Sequence, residues 1–360
     1  MELVIEKIKQ NHYAVDFCKE FVSCNDKPKF IFGRNEYAES ISKFVIVDGY
    51  IDEFTEDTIY LGKPIVKLDQ VPKNALVVSA VLIVKPLIAE KKLNLYKITH
   101  LDYFSFYKYS GLNLKPIMFW DNFQEDFKLN FSKFQYIYDK LADEQSKDIY
   151  YRIINFRNSY DLDFMRIFSD NGHNAYFEPF LKLKEKNESF VDVGGFDGFT
   201  TSEFIKRCPL YDDIYFFEPE QKNLDLAKVK LEGFKNISFI KAGLSNKKQI
   251  LKFDISGSSS KISENGTVEI LVEKLDDIVK KPVTFIKMDI EGSEKEAIEG
   301  SYNVIKNYHP KLAIAVYHKM EDFWVIPELI LGIRNDYDVY LRHYTEGITE
   351  TIMFFVPQNK

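Results

Sequence analysis

Short apolar runs that each stop at a glycine or a carboxylate, and then give way to a helical pattern, constrain this chain most. Strands buried on both faces read as near-continuous apolar runs, and a strand–turn–helix rhythm builds a parallel sheet. Phe190-Val191-Asp192-Val193 breaks at Gly194-Gly195, with a helix from about Thr200. Asp213 to Phe217 ends in Glu218-Pro219, and Ile237 to Ile240 stops at Ala242-Gly243. Val283 to Met288 ends in Asp289-Ile290-Glu291-Gly292. Leu312 to Val316 is a fifth strand, and Val339 to Leu341 with Thr351 to Val356 supply the last two. A hairpin is expected over Ile250 to Val272, with turn glycines Gly257 and Gly266. The pattern predicts a doubly wound, Rossmann-like α/β sheet.

The same rhythm occurs earlier in the chain. Lys29 to Phe32 stops at Gly33 and precedes a helical pattern over Glu36 to Phe44. Val45 to Asp52, the turn Gly62-Lys63-Pro64, Ala75 to Val81 and Leu95 to His100 complete a smaller Rossmann-like unit. Residues 125–185 read as mainly helical, rich in aromatics and poor in glycine and proline, so as a packed connector. The expected division is 1–124, an N-terminal α/β domain; 125–188, a helical connector; and 189–360, the larger α/β domain. At about 100–200 residues per domain, 360 residues suit this division.

Composition limits the function classes. Apolar residues at 45% and aromatics at 15% are globular values. A net charge of −7 argues against a nucleic-acid or anionic-membrane partner. No apolar run reaches the ~18 residues of a membrane span, and the N-terminus lacks a leader pattern. Three cysteines, Cys18, Cys24 and Cys208, are too few for a disulfide framework. A reduced, cytoplasmic protein is expected.

Ligands of open α/β sheets sit outside the carboxyl ends of the strands. Gly194, Gly195 and Gly198 form a turn that lets backbone approach a ligand, and Asp192 can pull on that turn and on a cationic ligand. Glu218, at the tip of the adjacent strand, is placed to accept hydrogen bonds from both hydroxyls of a ribose. Asp289 and Glu291 face the same crevice. A dinucleotide site wants Gly-x-Gly-x-x-Gly, whereas Phe196 stands where a spaced glycine belongs. Asp197 adds a negative charge that opposes a pyrophosphate and suits a ligand with an ammonium and a sulfonium. These residues favour S-adenosylmethionine over NAD.

FVDVGGFDGFT, FFEP, KMDIEGSE, LAIAVYHKMEDFWVIPELI and YLRHYTEGITETIMFFVP together resemble FkbM-type methyltransferases, and DEQSKDIYYRIINFR resembles the segment preceding that domain. The resemblance spans about Asp143 to Pro357. It implies a class I methyltransferase fold and O-methylation, often of sugars in bacterial surface glycans or secondary metabolites. By position it implies a cofactor loop at Asp192, Gly194 and Gly198, a ribose-binding acid at Glu218, and the strand-four motif at Asp289 and Glu291. Phe196 departs from the asparagine many members carry there. With Gly195, Phe196, Asp197, Ala242 and Gly243, these residues make up the expected cofactor site.

A hydroxyl acceptor must lose a proton as it attacks, and a general base contributes ~10²–10⁴-fold. His318 is the first choice for that base against a packed or capping histidine, His343 the second, with Asp289 beside them. Lys319 and Arg342 suit an anionic acceptor, or are solvated charge. Asp289 and Glu291 could hold Mg²⁺, but strand-end capping is the preferred reading, so no metal is expected. The aromatic run Tyr103 to Tyr109 reads as packing between domains ahead of a stacking platform.

The N-terminal unit resembles nucleotide-binding domains of sugar-modifying proteins in FIFGRNE, VDGYID and GKPIV. Arg34 stands where a small residue would admit a pyrophosphate, leaving acceptor recognition, dimerisation or scaffolding open. The expected activity is methyl transfer to a sugar hydroxyl of a glycan, nucleotide-sugar or related metabolite, by a possible homo-oligomer. An NAD-dependent sugar-nucleotide oxidoreductase or epimerase, or a non-catalytic scaffold, are the rivals.

Overall fold

The computed structural model describes residues 2–23, 26–120, 122–254, 261–262, 266 and 268–358. The first of its two large sheets contains β1 (Lys29–Phe32), β2 (Gly49–Ile51), β3 (Ile59–Tyr60), β4 (Lys63–Val66), β5 (Leu76–Ser79) and β6 (Thr99–Asp102). Their spatial order is β3-β4-β2-β1-β5-β6, and every pair is parallel except β3 with β4. β1 and β5 are buried along their whole length, as their apolar runs require. Helices α1 (His12–Ser23), α2 (Glu36–Ser42), α3 (Pro86–Leu95) and α4 (Tyr103–Tyr109) accompany the sheet. The strand expected from Leu95 begins at Thr99 instead, because α3 runs to Leu95 and Lys97 turns the chain at φ 56°. The aromatic run of α4 is core: Phe104 stacks on Trp120 and meets Phe156 edge-on.

Two helices follow, α5 (Phe123–Lys140) and α6 (Glu144–Ser159), the latter capped by Asp143, whose side chain accepts from Ser146 N. Past α6 the helical expectation fails: residues 160–189 hold three short 3₁₀ turns. Tyr160, Tyr176, Lys182 and Asn187 all take positive φ there, which breaks any α-helical run.

The second large sheet is built from β7 (Phe190–Val193), β8 (Ile214–Phe217), β9 (Ile237–Ile240), and four later strands. Between them β10 (Gly243–Leu244), β11 (Gln249–Asp254), β12 (Lys261–Ile262) and β13 (Val268–Glu273) form a separate four-stranded sheet. The expected hairpin is the antiparallel pair β11–β13; Gly266 lies between its strands, and Gly257 lies outside the described residues. Then come β14 (Phe285–Met288), β15 (Lys311–Ala315), β16 (Tyr337–His343) and β17 (Thr351–Pro357). Helices α7 (Phe199–Arg207), α8 (Gln221–Lys230), α9 (Leu275–Ile278), α10 (Glu294–Glu299), α11 (Tyr302–Tyr308) and α12 (Asp322–Ile333) connect the strands. The order is β16-β17-β15-β14-β7-β8-β9, parallel except where β17 runs against β15 and β16. This is the class I methyltransferase sheet. Its strand order reverses at β7, between β14 and β8, which is where such sheets open a crevice.

The two sheets meet through a loop of the second. Ile348 N donates to Ile83 O (2.9 Å), and Glu346 N donates to Val84 O (3.0 Å). The Glu346 carboxylate accepts from Ile88 N (2.9 Å) in the first turn of α3. A Cβ on Gly347 would stand 2.1 Å from Ile83 O, so only glycine fits this seam. Among the described residues, no helix is long and apolar enough to cross a membrane.

Candidate active site

A cavity of about 430 Å³ opens at the carboxyl ends of β7, β8, β14 and β15. One wall is the turn after β7. Gly194 sits at φ 73°, and a Cβ there would stand 2.0 Å from Asp289 O; one on Gly195 would stand 2.2 Å from the Phe216 ring. Those approaches explain the glycine pair and press the turn against the end of β14. Gly194, Gly195, Phe196 and Asp197 line the cavity, as do Ala242 and Gly243. Gly198 caps α7 from behind and does not line it.

Asp192 corrects the sequence reading. It is fully buried beneath the turn, accepts from Thr201 Oγ1 (2.7 Å), and lies 3.2 Å from Lys287 Nζ. Lys287 in turn donates to the carbonyls of Val193 (3.2 Å) and Gly194 (2.6 Å). Asp192 therefore shapes the loop through a buried cation and cannot touch a ligand. Asp197 is also less available than its position suggested. Its Oδ1 accepts from Phe199 N and its Oδ2 pairs with Lys230, so its charge is offset locally.

Glu218 lies where the ribose acid was expected, at the end of β8 on the cavity wall. Its Oε2 accepts from Phe196 N (3.0 Å) and its Oε1 from Glu220 N (2.8 Å), so the glycine turn and the carboxylate hold one another. Each oxygen keeps a lone pair beyond these bonds. Burial pushes the carboxyl up to about 7, against the backbone N–H groups that stabilise its ionised form.

The opposite end is acidic. Asp289, Glu291 and Glu350 line it, with Tyr176, Tyr317 and Thr349 beside them. Tyr176 donates its hydroxyl to Asp289 Oδ2, and Lys287 Nζ stands over the Tyr176 ring. Glu291 and Gly292 both take positive φ (55° and 94°), turning the chain sharply between β14 and α10. Burial, with the charges of Asp289 and Glu291, pushes Glu350 up to about 7.

Neither histidine matches the base it was expected to be. His318 has a fully buried side chain outside the cavity lining. Its Nδ1 bonds Glu294 Oε1 (2.9 Å), and its Nε2 points between Asp289 Oδ1 (3.4 Å) and Glu291 Oε2 (3.7 Å). Burial alone would lower its pKa, but Glu294, Asp289 and Glu291 outweigh it and raise it to about 10. An imidazole already protonated at neutral pH has no lone pair for a substrate proton. His343 lies off the cavity, its Nδ1 bonded to Thr351 Oγ1 and its ring edge-on to Phe168. Burial and Arg157 push it down to about 3, too weak for a base at neutral pH. Arg342 is buried too, tied to Asp143 (2.7 Å) and Ser146 (2.9 Å) and packed on Phe180.

Residues from outside the second sheet complete the walls. Ile83 and Val84 arrive from the loop after β5, and Met118 and Phe119 from the segment after α4. Arg157 of α6 holds Phe119 O (3.3 Å) and Tyr317 O (3.2 Å) from below. A second hollow of about 1420 Å³ runs between the sheets and shares Ile83, Met118, Phe119, Leu244, Glu291 and Ser293 with the first. Lys319 lines this groove and not the cavity.

Comparison with known proteins bears on this architecture. The family model described as the methyltransferase FkbM domain matches residues 192–346. No protein of curated function matches the chain by sequence. Methyltransferase FkbM from Methylobacillus flagellatus KT superposes over 96% of this chain and 93% of its own, at TM-score 0.76 and 23% identity. A putative methyltransferase from Streptococcus mutans, solved in complex with SAH, covers 49% of this chain and 92% of its own, at TM-score 0.34 and 15% identity. The first of these shares the fold across both sheets. The stretch that supplies the glycine turn, Glu218, Asp289, Glu291 and His318 is the part of the chain that matches the methyltransferase FkbM domain model.

Proposed function

We propose that this chain is an S-adenosylmethionine-dependent O-methyltransferase, and that the groove between the sheets admits a sugar hydroxyl of a glycan, nucleotide-sugar or related metabolite. The observation that carries the reading is Glu218, whose two carboxylate oxygens line the cavity beside Gly194 and Gly195. That pair of acceptors suits the two hydroxyls of a ribose. The cavity volume falls in the ~300–1,000 Å³ range of small-molecule sites. Its acidic far end suits a ligand bearing an ammonium and a sulfonium. When bound, S-adenosylmethionine supplies an electrophilic methyl group.

The chain's own residues do the rest. Gly194, Gly195, Phe196, Ala242 and Gly243 close around the cofactor, and Asp192 with Lys287 fixes their turn. Met118 and Phe119 exclude water where cavity and groove join. With His318 unable to accept a proton, Glu350 on the cavity wall, at the same acidic end as Asp289, is the proton acceptor for the attacking hydroxyl. Residues 1–124 then serve as acceptor-side wall, 125–188 as the brace beneath it, and 189–360 as the catalytic domain.

Calorimetric titration with S-adenosylhomocysteine, with NAD⁺ in parallel, tests the cofactor. Micromolar binding of the former alone is the expected result; preference for NAD⁺ would sink the reading. Glu350→Gln should leave that affinity within about twofold and lower turnover on a responsive sugar acceptor by ~10²-fold or more.

A further inference from the structure

Where β14 and β15 end, one imidazole is surrounded by acids. Glu294 is fully buried at the start of α10, and its Oε1 both accepts from Ile290 N (2.9 Å) and bonds His318 Nδ1 (2.9 Å). This bond fixes the ring and aims Nε2 the other way. There Nε2 finds no hydrogen-bond partner among the described residues, although the side chain is fully buried. It points instead at two carboxylate oxygens, Asp289 Oδ1 at 3.4 Å and Glu291 Oε2 at 3.7 Å. One ligand atom from each of the three residues lies within 4.8 Å of the others.

A histidine whose far nitrogen is held by a carboxylate while the near one faces two carboxylates is the arrangement that orients imidazole toward a metal. Two ligands of a tetrahedral ion with bonds of about 2.0–2.1 Å stand roughly 3.3 Å apart, so small side-chain shifts would close this set. Mixed imidazole and carboxylate donors suit Mn²⁺ or Zn²⁺ better than Ca²⁺.

We propose that Asp289, Glu291 and His318 bind one divalent cation of the Mn²⁺ or Zn²⁺ type, which displaces the proton that His318 Nε2 carries in the metal-free chain, with Glu294 as the positioning residue behind His318. Glu291 lines both the cavity and the groove, Asp289 the cavity, and His318 the groove. The cation would therefore sit where the two spaces meet, placed to polarise a hydroxyl entering from the groove. That role rests on the methyl-transfer reading; the binding itself does not.

The experiment is a titration of the chelator-stripped full chain with Mn²⁺, counting free ion by its electron paramagnetic resonance signal, followed by displacement with Zn²⁺. One Mn²⁺ per chain at micromolar concentration is expected. His318→Gln and Asp289→Asn should each weaken it at least tenfold, and Glu294→Gln by about 10–100-fold. Glu296→Gln, in the same groove but outside the set, should leave it unchanged. No bound Mn²⁺ or Zn²⁺ at millimolar ion overturns the proposal, as does undiminished binding in the folded variants. Should His318→Gln fail to fold, the wild-type count and Asp289→Asn decide. S-adenosylhomocysteine titrated into the same stripped protein keeps the two readings apart: its binding without Mn²⁺ binding refutes the metal alone.

Discussion

The two large sheets begin alike and end differently. Each opens with a strand, a glycine turn and a helix, and each places a carboxylate just past its next strand: Asp52 after β2, Glu218 after β8. In the first sheet that carboxylate is consumed. Arg34, next to Gly33, donates to Asp52 (2.7 Å) and Asp57 (2.9 Å), and Phe54 N and Thr55 N take Asp52's other oxygen. Burial works against the ionised form there, yet these donors hold Asp52 below the usual carboxylate range. Asn35 seals the same corner, capping α2 and reaching Ala80 O. In the second sheet Phe196 replaces the arginine, two backbone N–H groups and the Asn223 amide meet Glu218 in place of a cation, and the crevice stays open. One side chain after the glycine separates a plugged crevice from a receptive one.

The strongest break of this contrast is Glu218→Ala against Asp52→Ala. Hydrogen bonds to a charged group contribute about 1.5–3 kcal/mol each, so losing two should weaken S-adenosylhomocysteine binding by at least ~100-fold. Asp52→Ala should leave that affinity within about twofold by the same calorimetry. Equal losses in both variants would erase the distinction between the sheets.

The pH response sharpens it. Burial holds Glu218 up to about 7, and a protonated carboxyl cannot accept from both ribose hydroxyls. Affinity should therefore fall as pH drops below about 7, by up to about tenfold per unit, and level off above it. For folding the sign reverses: a carboxyl raised above its unfolded value costs stability as pH rises through that window. Flat affinity between about pH 5.5 and pH 8 would remove Glu218 from the ribose.

The seam comes next. Gly347→Ala forces a methyl into Ile83 O and should cost roughly 1–3 kcal/mol, read as a lower melting temperature. The smallest effect belongs to Arg34→Ala. Its ion pairs are partly exposed, so stability should change by no more than ~1 kcal/mol, with cofactor binding untouched.

What sequence could show follows from range. β7, β8 and β14 were legible because their apolar runs end in Gly194, Glu218 and Asp289, a local signal. Phe119, Tyr176 and Glu350 were not, because they reach the cavity through docking of distant segments and share no period with it. His318 was found but misread for the same reason. Glu294, 24 residues away on α10, fixes its charge from across the fold, and no spacing rule links it to the loop after β15. His343 looked equivalent on a strand, yet it falls off the cavity against Phe168.

The seam at Gly347 also bears on inheritance. The loop that carries Thr349 and Glu350 into the cavity is the one that grips Ile83 and Val84 of the first sheet. Recombination that exchanged one half for a relative's would have to bring both lips of that loop together. The pair should travel through evolution as a single gene-length unit, and changes at positions 83–88 should be matched by changes at 344–350.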